Sequence, residues 1–568
     1  MKYELIGQND YLINPVKTIL TNRGIDDIDK FLNIDKSVTY DYNLLKNINE
    51  AVDCLLTHLE NDDIIYVQVD CDGDGVTSAA LFYNYIKLVF PSAKIIYGLP
   101  TGKEHGVNVE NVPDEVKLVV IPDAGSDQFK EHKQLKNKGM NVIVLDHHKV
   151  DRLSDDAIVV NNKACDYPNE ELSGVGVVYK FCQALDDKLN VKHADKFLDL
   201  VAVGNIADVV DLKSLETRYY VLKGLENINN PLIKELCKKQ EFSTKGIINI
   251  INIGFYIAPL INACLRFGSQ EEKDMMFKAL IHSDETVKYK KRGTTTEIDQ
   301  PIAEASARIC ANIKARQDKA RDKALDNILE RIAEKNLDQN KILIVDVTEI
   351  LDKTLSGLVA NQLANKFKRP VLLLRYNEKD NVYGGSGRGY DKSTVKRFDN
   401  FLLNTGKFDW VAGHDNAFGF SVSADNIIEV NSMINEQLKD VEFEDVFDVD
   451  FVIPYADLNI KVIESIASLA DLWGNKVNEP KIAITDINID SKSIELMGSK
   501  RNTIKFKTKN IEFIQFRTTE DRYNELTKDA LVNIEIVGKC SVNEYEGNKT
   551  AQIIIDDYNI LKSKKFLF

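Results

Sequence analysis

Three aspartates, Asp70, Asp72 and Asp74, lie within five residues and end or directly follow the apolar run at 64–70. Carboxylates this close repel one another, and a bound cation is the usual way to offset that repulsion. Because hard oxygen ligands suit Mg²⁺ and Mn²⁺, the spacing indicates a site for one of these ions. A calcium loop of the EF-hand type would need a glutamate where Leu81 stands, so that type is excluded. A solvated turn remains an alternative for this segment alone.

Further acidic and histidine residues follow other stretches of the chain. They are Asp123 at the end of the run 117–123, Asp146, His147 and His148 in the run 141–148, and Asp208 within 203–212. Each one, taken alone, is also typical of a protein surface or a helix cap. Together they can hold two cations about 3.5–4 Å apart, with one carboxylate between them. A water shared by two such cations loses a proton readily and can attack a phosphorus in line.

The elements that must position these residues are apolar runs with polar ends. The runs lie at 64–70, 117–123, 141–148 and 157–162, and helical stretches separate several of them. Continuous Val and Ile runs are typical of strands buried on both faces, as in a parallel sheet covered by helices. In open α/β sheets, ligands collect beyond the carboxyl ends of the strands. The sequence therefore predicts an α/β core with its chemistry at one sheet edge.

The remaining segments predict further domains. Residues 1–60 have the pattern of helices with polar turns. A long helix is predicted over 299–336, with Asp299 as N-cap and Pro301 in its first turn. A second α/β segment contains strands at 342–347 and 371–376. From about residue 480, short strands indicate a small barrel, which ends in a hairpin with a turn of about five residues, 545–549.

Length and charge limit the class of protein. The 568 residues suggest three or four domains, and the net charge of −15 means that any contact with nucleic acid must use local basic patches. The eight cysteines are scattered, as in a cytosolic protein with reduced thiols. The first residues lack the apolar region of a signal peptide, and we identify no apolar stretch of the ~18–20 residues that a membrane span needs. We therefore expect a cytoplasmic protein that does not contact a membrane.

Local basic and glycine-rich segments could supply a contact with nucleic acid. Glycines let backbone N–H groups approach a phosphate, and a guanidinium binds phosphate through two hydrogen bonds. An ordinary turn or a solvated charged face is the alternative in each case. The candidates are Ser386 and Arg388 in a Gly-Ser-Gly-Arg segment, Gly413 and His414, the stretches 288–292 and 314–323, and Lys505, Lys507 and Lys509, whose alternation predicts one face of a strand.

The ordered acidic and histidine motifs resemble motifs one to four of the DHH phosphoesterases. The resemblance implies that Asp72 holds a first divalent cation and that Asp123 bridges it to a second one, either Mn²⁺ or Mg²⁺. It also implies that His148 contacts the substrate phosphate. The remaining ligands of the second cation would be Asp74, His147 and Asp208.

The resemblance extends over nearly the whole chain and favours the RecJ branch of these enzymes. Asp70 is similar to the extra acidic position of that branch. The segments that carry the likeness are 22–33, 172–180, 384–389, 413–419, 474–480 and the C-terminal hairpin. Residues 259–266 resemble a motif that usually carries two arginines and a glycine; Arg266 remains, whereas Leu260 and Leu265 replace the others. Ala412 and Phe418 also depart from the pattern, which would fit a divergent, viral branch.

By this resemblance the fold is a multidomain α/β protein. A DHH parallel-sheet core and a DHH-associated α/β domain would be joined by a long helix and followed by an OB-like β-barrel. The expected boundaries are a helical lead-in at 1–55, the DHH core at 56–295, the connecting helix at 296–337, the DHH-associated domain at 338–440 and the barrel at 441–568.

The implied activity is metal-dependent hydrolysis of single-stranded DNA from the 5′ end, in DNA recombination, repair or replication. A single-strand-binding protein or a helicase would be a partner, in a bacterial cytoplasm or, for a virus-encoded protein, in that of the host. Two alternatives remain open. One is a DHH phosphodiesterase of short oligonucleotides or cyclic dinucleotides, and the other is a catalytically silent replication scaffold or single-strand-binding protein.

Overall fold

The computed structural model describes the chain except residues 103, 282, 291–295, 391–394, 442, 444, 546 and 565–568, and except the side chains of 414, 545 and 562–564. The chain divides into two compact units. The first unit comprises 29–318 and 471–478, and the second unit comprises 1–28, 319–470 and 479–568. The five predicted domain boundaries are not tested by this division and stay a prediction.

The strands are β1 Lys2–Leu5, β2 Ile64–Gln68, β3 Lys94–Gly98, β4 Val116–Pro122, β5 Asn141–Asp146, β6 Ile158–Asn161, β7 Thr286–Lys290, β8 Glu297–Pro301, β9 Leu343–Asp346, β10 Val371–Asn377, β11 Val382–Arg388, β12 Phe408–His414, β13 Ala417–Ser423, β14 Val446–Val449, β15 Phe451–Pro454, β16 Ile482–Asp490, β17 Glu495–Met497, β18 Thr503–Thr508, β19 Ile511–Phe516, β20 Leu531–Tyr545 and β21 Asn548–Lys564. The α-helices are α1 Pro15–Asn22, α2 Ile28–Leu32, α3 Ile48–Glu60, α4 Gly73–Val89, α5 Phe129–Asn137, α6 Gly174–Leu189, α7 Leu198–Ala207, α8 Leu215–Leu225, α9 Pro231–Lys239, α10 Glu241–Thr244, α11 Ile250–Asn252, α12 Ala258–Phe267, α13 Gln270–Leu280, α14 Ile302–Glu334, α15 Ser356–Phe367, α16 Phe398–Leu403, α17 Ile427–Gln437, α18 Ile460–Ala467 and α19 Glu520–Leu526.

The first unit contains a five-stranded sheet in the order β3-β2-β4-β5-β6, with every pair parallel. Its Val and Ile runs are buried because helices cover the sheet, which confirms the predicted parallel core. The carboxyl ends of β2, β4 and β5 therefore meet at one edge. The short edge strand β3 was not predicted, since none of its five residues is fully buried.

Helix α4 begins at this edge because Asp72 caps it. The Asp72 side chain accepts hydrogen bonds from the backbone N–H groups of Asp74 and Gly75, each at 3.2 Å. Residues Gly73–Phe82 of the helix are all buried. The first acidic motif thus forms the start of a core helix rather than a solvated turn.

The second unit contains two larger sheets. A mixed five-stranded sheet has the order β12-β13-β11-β10-β9, and a seven-stranded sheet has the order β15-β16-β20-β21-β19-β18-β17. The N-terminal strand β1 pairs in parallel with β14, so the prediction of helices alone over residues 1–60 is wrong at its start. In the same unit, Arg23 binds Asp450 through two hydrogen bonds of 3.0 and 2.8 Å.

Three local predictions are corrected by strand pairing. Helix α14 begins at Ile302, because Asp299 and Pro301 belong to β8, which pairs with β7. The C-terminal hairpin pairs Tyr545 with Asn548, so its turn is shorter than the five residues expected. Strand β18 ends at Thr508, so Lys509 does not continue its face.

The lysine face of β18 is also less basic than predicted. Lys509 has a φ of +49° and donates hydrogen bonds to the carbonyl oxygens of Tyr455 and Ala456 at 2.7 and 2.9 Å. The Lys505 ammonium lies 2.8 Å from a Glu512 carboxylate oxygen on β19. Lys507 remains exposed on the strand, so a shared face of three free cations is not formed.

Among the described residues, Ile250–Phe267 is the one helical stretch long and apolar enough to cross a bilayer by length and composition. We expected none. Half of the stretch is buried inside the protein.

Candidate metal centre

Four candidate ligand residues converge at the carboxyl edge of the first sheet. His147 Nε2 lies 3.3 Å from Asp123 Oδ1, 3.8 Å from Asp208 Oδ2 and 3.9 Å from Asp74 Oδ2. A second group, with ligand atoms within 4.8 Å of one another, joins Asp123 to Asp70 and Asp72. Asp123 belongs to both groups, so the structure brings together the residues predicted for two neighbouring cations. Asp208 comes from the end of α7 rather than from a strand.

The N-terminus of α6 fixes Asp74. Its Oδ1 accepts hydrogen bonds from the Ser173 hydroxyl at 3.0 Å and from the Val175 N–H at 3.1 Å, and its Oδ2 accepts from the Gly174 N–H at 2.7 Å. The positive end of the α6 dipole adds to this stabilisation of a carboxylate. The segment 172–180 therefore contributes to the centre by holding a ligand.

Asp123 occupies an unusual backbone conformation directly after β4. Its φ is +62°, in the left-handed region that few residues other than glycine adopt, and its N–H donates to the Leu145 carbonyl oxygen at 2.8 Å. Gly174 leaves room for the side chain, because a Cβ at position 174 would lie 2.3 Å from Asp123 Oδ1. The cluster thus combines an aspartate in the left-handed region with an adjacent glycine that leaves room for its side chain.

Asp146 positions the two histidines. Its Oδ1 accepts hydrogen bonds from the backbone N–H groups of His147 and His148 at 2.7 and 3.1 Å, and it lies 2.8 Å from His148 Nδ1. Its Oδ2 accepts from the Ser126 N–H at 3.0 Å. The hydrogen bond to Asp146 raises the pKa of His148 to about 9, whereas burial lowers the pKa of His147 to about 3. His147 is therefore neutral and suited to bind a cation, and His148 is a cation beside it.

Burial and mutual repulsion disfavour the charged carboxylates. They raise the pKa of Asp74 to about 6, with Asp72 as the main repelling neighbour, and the pKa of Asp208 to about 8, with Asp74 in that role. Burial and the charge of Asp74 hold the pKa of Asp123 well above its usual range. Asp123 Oδ1 and both ring nitrogens of His147 are buried without a hydrogen-bond partner. Oxygen and imidazole donors without partners fit a divalent cation.

Sequence reasoning missed His105 and Asn262. His105 Nδ1 lies 2.7 Å from Asp70 Oδ2, the Gly106 N–H donates to Asp70 Oδ1 at 2.9 Å, and the hydrogen bond to Asp70 raises the pKa of His105 to about 11. The strand β3, had it been recognised, would have placed the loop with His105 at the same sheet edge. Asn262 on α12 accepts a hydrogen bond from the Gly73 N–H at 2.9 Å. Both contacts hold the loop that carries the first acidic motif.

The predicted substrate residues lie in both units. Arg266, in the first unit, has Nη2 3.9 Å from Asp72 Oδ2, so it lies beside the metal ligands. Leu260 and Leu265 are buried, and no structural reason for their departure from the motif is evident beyond this packing. In the second unit, Ser386 and Arg388 lie on β11, and Gly413 and His414 end β12; the His414 side chain is outside the described residues.

The departure at Phe418 has a packing explanation. A Cβ at Gly387 would lie 2.2 Å from the Phe418 ring, so the glycine makes room for the phenylalanine. Phe418 is buried in the core of the five-stranded sheet, against Phe398. Arg388 Nη1 donates to the Gly387 carbonyl oxygen at 2.7 Å.

Comparisons with known proteins agree with this architecture. A model of the DHH family N-terminal domain matches residues 64–205, and a model of the RecJ OB domain matches residues 449–557. An SPbeta prophage-derived protein of Bacillus subtilis strain 168, which carries the provisional name single-strand DNA-specific exonuclease YorK, is 48% identical over 100% of this chain and 99% of its own length. The single-stranded-DNA-specific exonuclease RecJ of that strain is 28% identical over 95% of this chain and 67% of its own length.

A solved structure shows the same fold. The crystal structure of RecJ in complex with Mn²⁺ from Thermus thermophilus matches with a TM-score of 0.74 at 19% identity, and it covers 97% of this chain and 76% of that one. The parallel sheet and its carboxylate cluster define a protein of the DHH class. Because the 48% identity runs along its full length, the chain belongs to the RecJ-like exonuclease family within that class.

Metal binding should depend on pH in a defined direction. Where folding raises the pKa of a carboxyl group, ionisation of that group destabilises the metal-free protein once the pH exceeds the pKa that the group has in the unfolded chain. At a pH below the raised pKa, a cation must displace the carboxyl proton before it can bind. With Asp74 at about 6 and Asp208 at about 8, the increase in Tm caused by Mn²⁺ should be larger at about pH 8 than at about pH 6. Thermal unfolding with and without Mn²⁺ measures this, and an increase that is equal at both pH values would contradict it.

The glycine at 174 should be required for metal binding. In Gly174→Ala, the new methyl group would displace the Asp123 carboxylate, and Mn²⁺ affinity should fall on the order of ten-fold or more, as for other residues that position metal ligands. The matched control is Gly176→Ala on the same helix, where the atoms nearest to a Cβ belong to the Leu172 side chain, the first of them at 3.0 Å. Calorimetric titration with Mn²⁺ compares the two, and equal affinities would rule out the steric role of Gly174.

Proposed function

We propose that this protein is a metal-dependent exonuclease that hydrolyses phosphodiester bonds of single-stranded DNA. The observation that carries the proposal is the cluster of Asp74, Asp123, His147 and Asp208, of which the first three are buried and whose ligand atoms fit divalent cations. Two relatives, at 48% and 28% identity, are named single-strand-specific exonucleases, which supports the choice of substrate.

The ligand roles follow the two groups that share Asp123. Asp72 and Asp123, with Asp70 beside them, would hold one Mn²⁺ or Mg²⁺ ion, and Asp74, His147 and Asp208 would hold a second one with Asp123. When bound there, such ions would supply charge stabilisation for phosphodiester hydrolysis and would make a water molecule more acidic. Because Ser173, Gly174 and Val175 already donate to Asp74, its carboxylate keeps one orientation while it binds.

His148 and Arg266 would bind the phosphate. The Nδ1 of His148 is engaged by Asp146, which leaves Nε2 as the ring nitrogen for a substrate oxygen. Arg266 lies close to Asp72 and is partly exposed, so its guanidinium can contact an oxygen of the same phosphate. Both side chains would hold the scissile phosphate in place and offset its negative charge beside the carboxylates.

The finer features of the activity rest on the family resemblance. They are release of nucleotides from the 5′ end, a role in DNA recombination, repair or replication, and cooperation with a single-strand-binding protein or a helicase.

In the second unit, Arg388 and Ser386 would contact a phosphate of the DNA strand, and Gly413 and His414 would contact the same phosphate. In the RecJ OB domain, exposed Lys507 is the lysine best placed to meet a strand, whereas Lys505 and Lys509 have protein partners.

Two alternatives are less well supported. A phosphodiesterase of short oligonucleotides or cyclic dinucleotides would not need the OB domain matched at 449–557. A silent scaffold or single-strand-binding protein would not need to keep five buried or partly buried ligands at the cost of their repulsion.

Asp123 should be the most sensitive ligand because it belongs to both groups. Asp123→Asn keeps the shape of the side chain but removes the shared charge, and turnover should fall about 10²-fold or more, since bound metal ions supply several kcal/mol of charge stabilisation. The assay is digestion of an end-labelled single strand with Mn²⁺, with chelator as the reference for zero activity. Near-normal turnover of the variant would refute the shared role, as would activity that survives the chelator in the wild type.

Arg388 should affect substrate binding without affecting the metals. Arg388→Ala should weaken single-strand binding by about 1.5–3 kcal/mol, the scale of a charge-assisted hydrogen bond, while Mn²⁺ affinity stays the same. Arg397→Ala is the control, because that arginine already pairs with Asp399 and Asp415. Loss of Mn²⁺ binding in the Arg388 variant, or unchanged DNA affinity, would show that Arg388 has a structural role.

A further inference from the structure

Two aromatic side chains are exposed on the helical segment that leads into α12. Residues Ile253–Ile257 form a π-helical turn, and α12 continues from it at Ala258. Phe255 is 74% exposed, and Tyr256 is 38% exposed. Turns of this kind are rare and are frequent at functional sites. An exposed pair of aromatic rings at such a turn is therefore a candidate binding site.

The turn lies next to the metal ligands. Asn262 and Arg266, which contact the first acidic motif, are four residues apart and share one face of α12. Two helical turns before Asn262, this face reaches Gly254 and Phe255. A Cβ at Gly254 would lie 3.4 Å from Ile206 Cγ2, and Ile206 precedes Asp208 by two residues. The rings thus belong to a segment that packs against the end of α7, where a metal ligand is held.

The chemistry of the segment favours the bases of a nucleic acid over its phosphates. Residues 246–265 contain no Lys, Arg, Asp or Glu, so this stretch offers no charge to a phosphate and no carboxylate that would repel one. Bases of a single strand expose their flat faces, and aromatic side chains stack on them whatever the base. A single strand of nucleic acid that reaches the metal centre would pass close to this uncharged segment.

We propose that Phe255 and Tyr256 form a stacking platform for the bases of the strand bound at the metal centre. The inference rests on the proposed function and adds a positioning role: the rings hold the nucleotides next to the scissile phosphate by their bases, while His148 and Arg266 contact the phosphate. Stacking at this position gives affinity without sequence preference, as a nuclease that digests any single strand requires.

The test compares strands with and without bases. Oligothymidine and the same oligonucleotide with abasic nucleotides at its terminal positions are digested with Mn²⁺ by the wild type and by Phe255→Ala, Tyr256→Ala and the double variant. For the strand with bases, each substitution should raise KM on the order of ten-fold, about 1.4 kcal/mol, because the stacking of a base on the ring is lost. For the abasic strand, the wild type and the variants should have the same KM.

Two controls separate stacking from damage to the fold. Phe242→Ala removes an aromatic side chain that is 98% exposed on α10, and it should leave both substrates unaffected. Phe255→Leu keeps apolar bulk but loses the ring, and it should match Phe255→Ala in KM with an unchanged Tm and an unchanged shift of Tm by Mn²⁺.

The outcomes are distinct. An equal increase in KM for the two oligonucleotides, or no increase for either, would overturn the stacking platform. The exposed rings would then contact a protein or another surface instead. A wild type that cleaves neither strand would overturn the proposed function itself, whereas normal cleavage by the variants would overturn only the role of the rings.

Discussion

The mutual repulsion of buried carboxylates is the constraint on which the first unit depends. Asp74 and Asp123 are almost fully buried, and the pKa values of both, like that of Asp208, are raised by burial and by neighbouring negative charge. Folding by itself would avoid such a cluster, because each buried charge costs free energy. The structure nevertheless maintains it: the N-terminus of α6 donates three hydrogen bonds to Asp74, and Asp123 keeps a strained backbone conformation beside a required glycine. Positive ions between the carboxylates would offset this cost and so explain the arrangement.

Much of this arrangement follows from the sequence. Val and Ile runs that end in aspartate or histidine predict parallel strands, and the carboxyl ends of such strands necessarily meet, so the convergence of Asp123 with His147 needs no knowledge of the side-chain contacts. The contacts made by distant segments could not be predicted. His105 and Asn262 reach the first acidic motif from a loop after an unrecognised edge strand and from a helix far along the chain. Predictions from local sequence also failed where strand pairing decided the structure. Asp299 is a suitable helix N-cap, but it lies in β8, which pairs with β7.

The candidate metal ligands and several of the candidate substrate residues lie in different units. All candidate metal ligands lie in the first unit, while the glycine-containing strands β11 and β12 and the OB domain belong to the second. The lysines of the OB domain show why alternation alone does not define a binding face. A change to positive φ at Lys509 ends the strand, and its ammonium donates to two carbonyl oxygens. Glu512 on the next strand pairs with Lys505, so two of the three ammonium groups already have protein partners. The proposed stacking of bases would give affinity without a strongly basic surface, which suits a chain with a net charge of −15.

The central claim is that Asp123 lies between two divalent cations. Anomalous diffraction from crystals grown with Mn²⁺ tests it most directly, because it locates the ions without reference to activity. The account predicts two anomalous peaks about 3.5–4 Å apart, one between Asp72 and Asp123 and the other among Asp74, Asp123, His147 and Asp208. A single peak that does not contact Asp123, or full ordering of the carboxylates with no peak among them at saturating Mn²⁺, would contradict it.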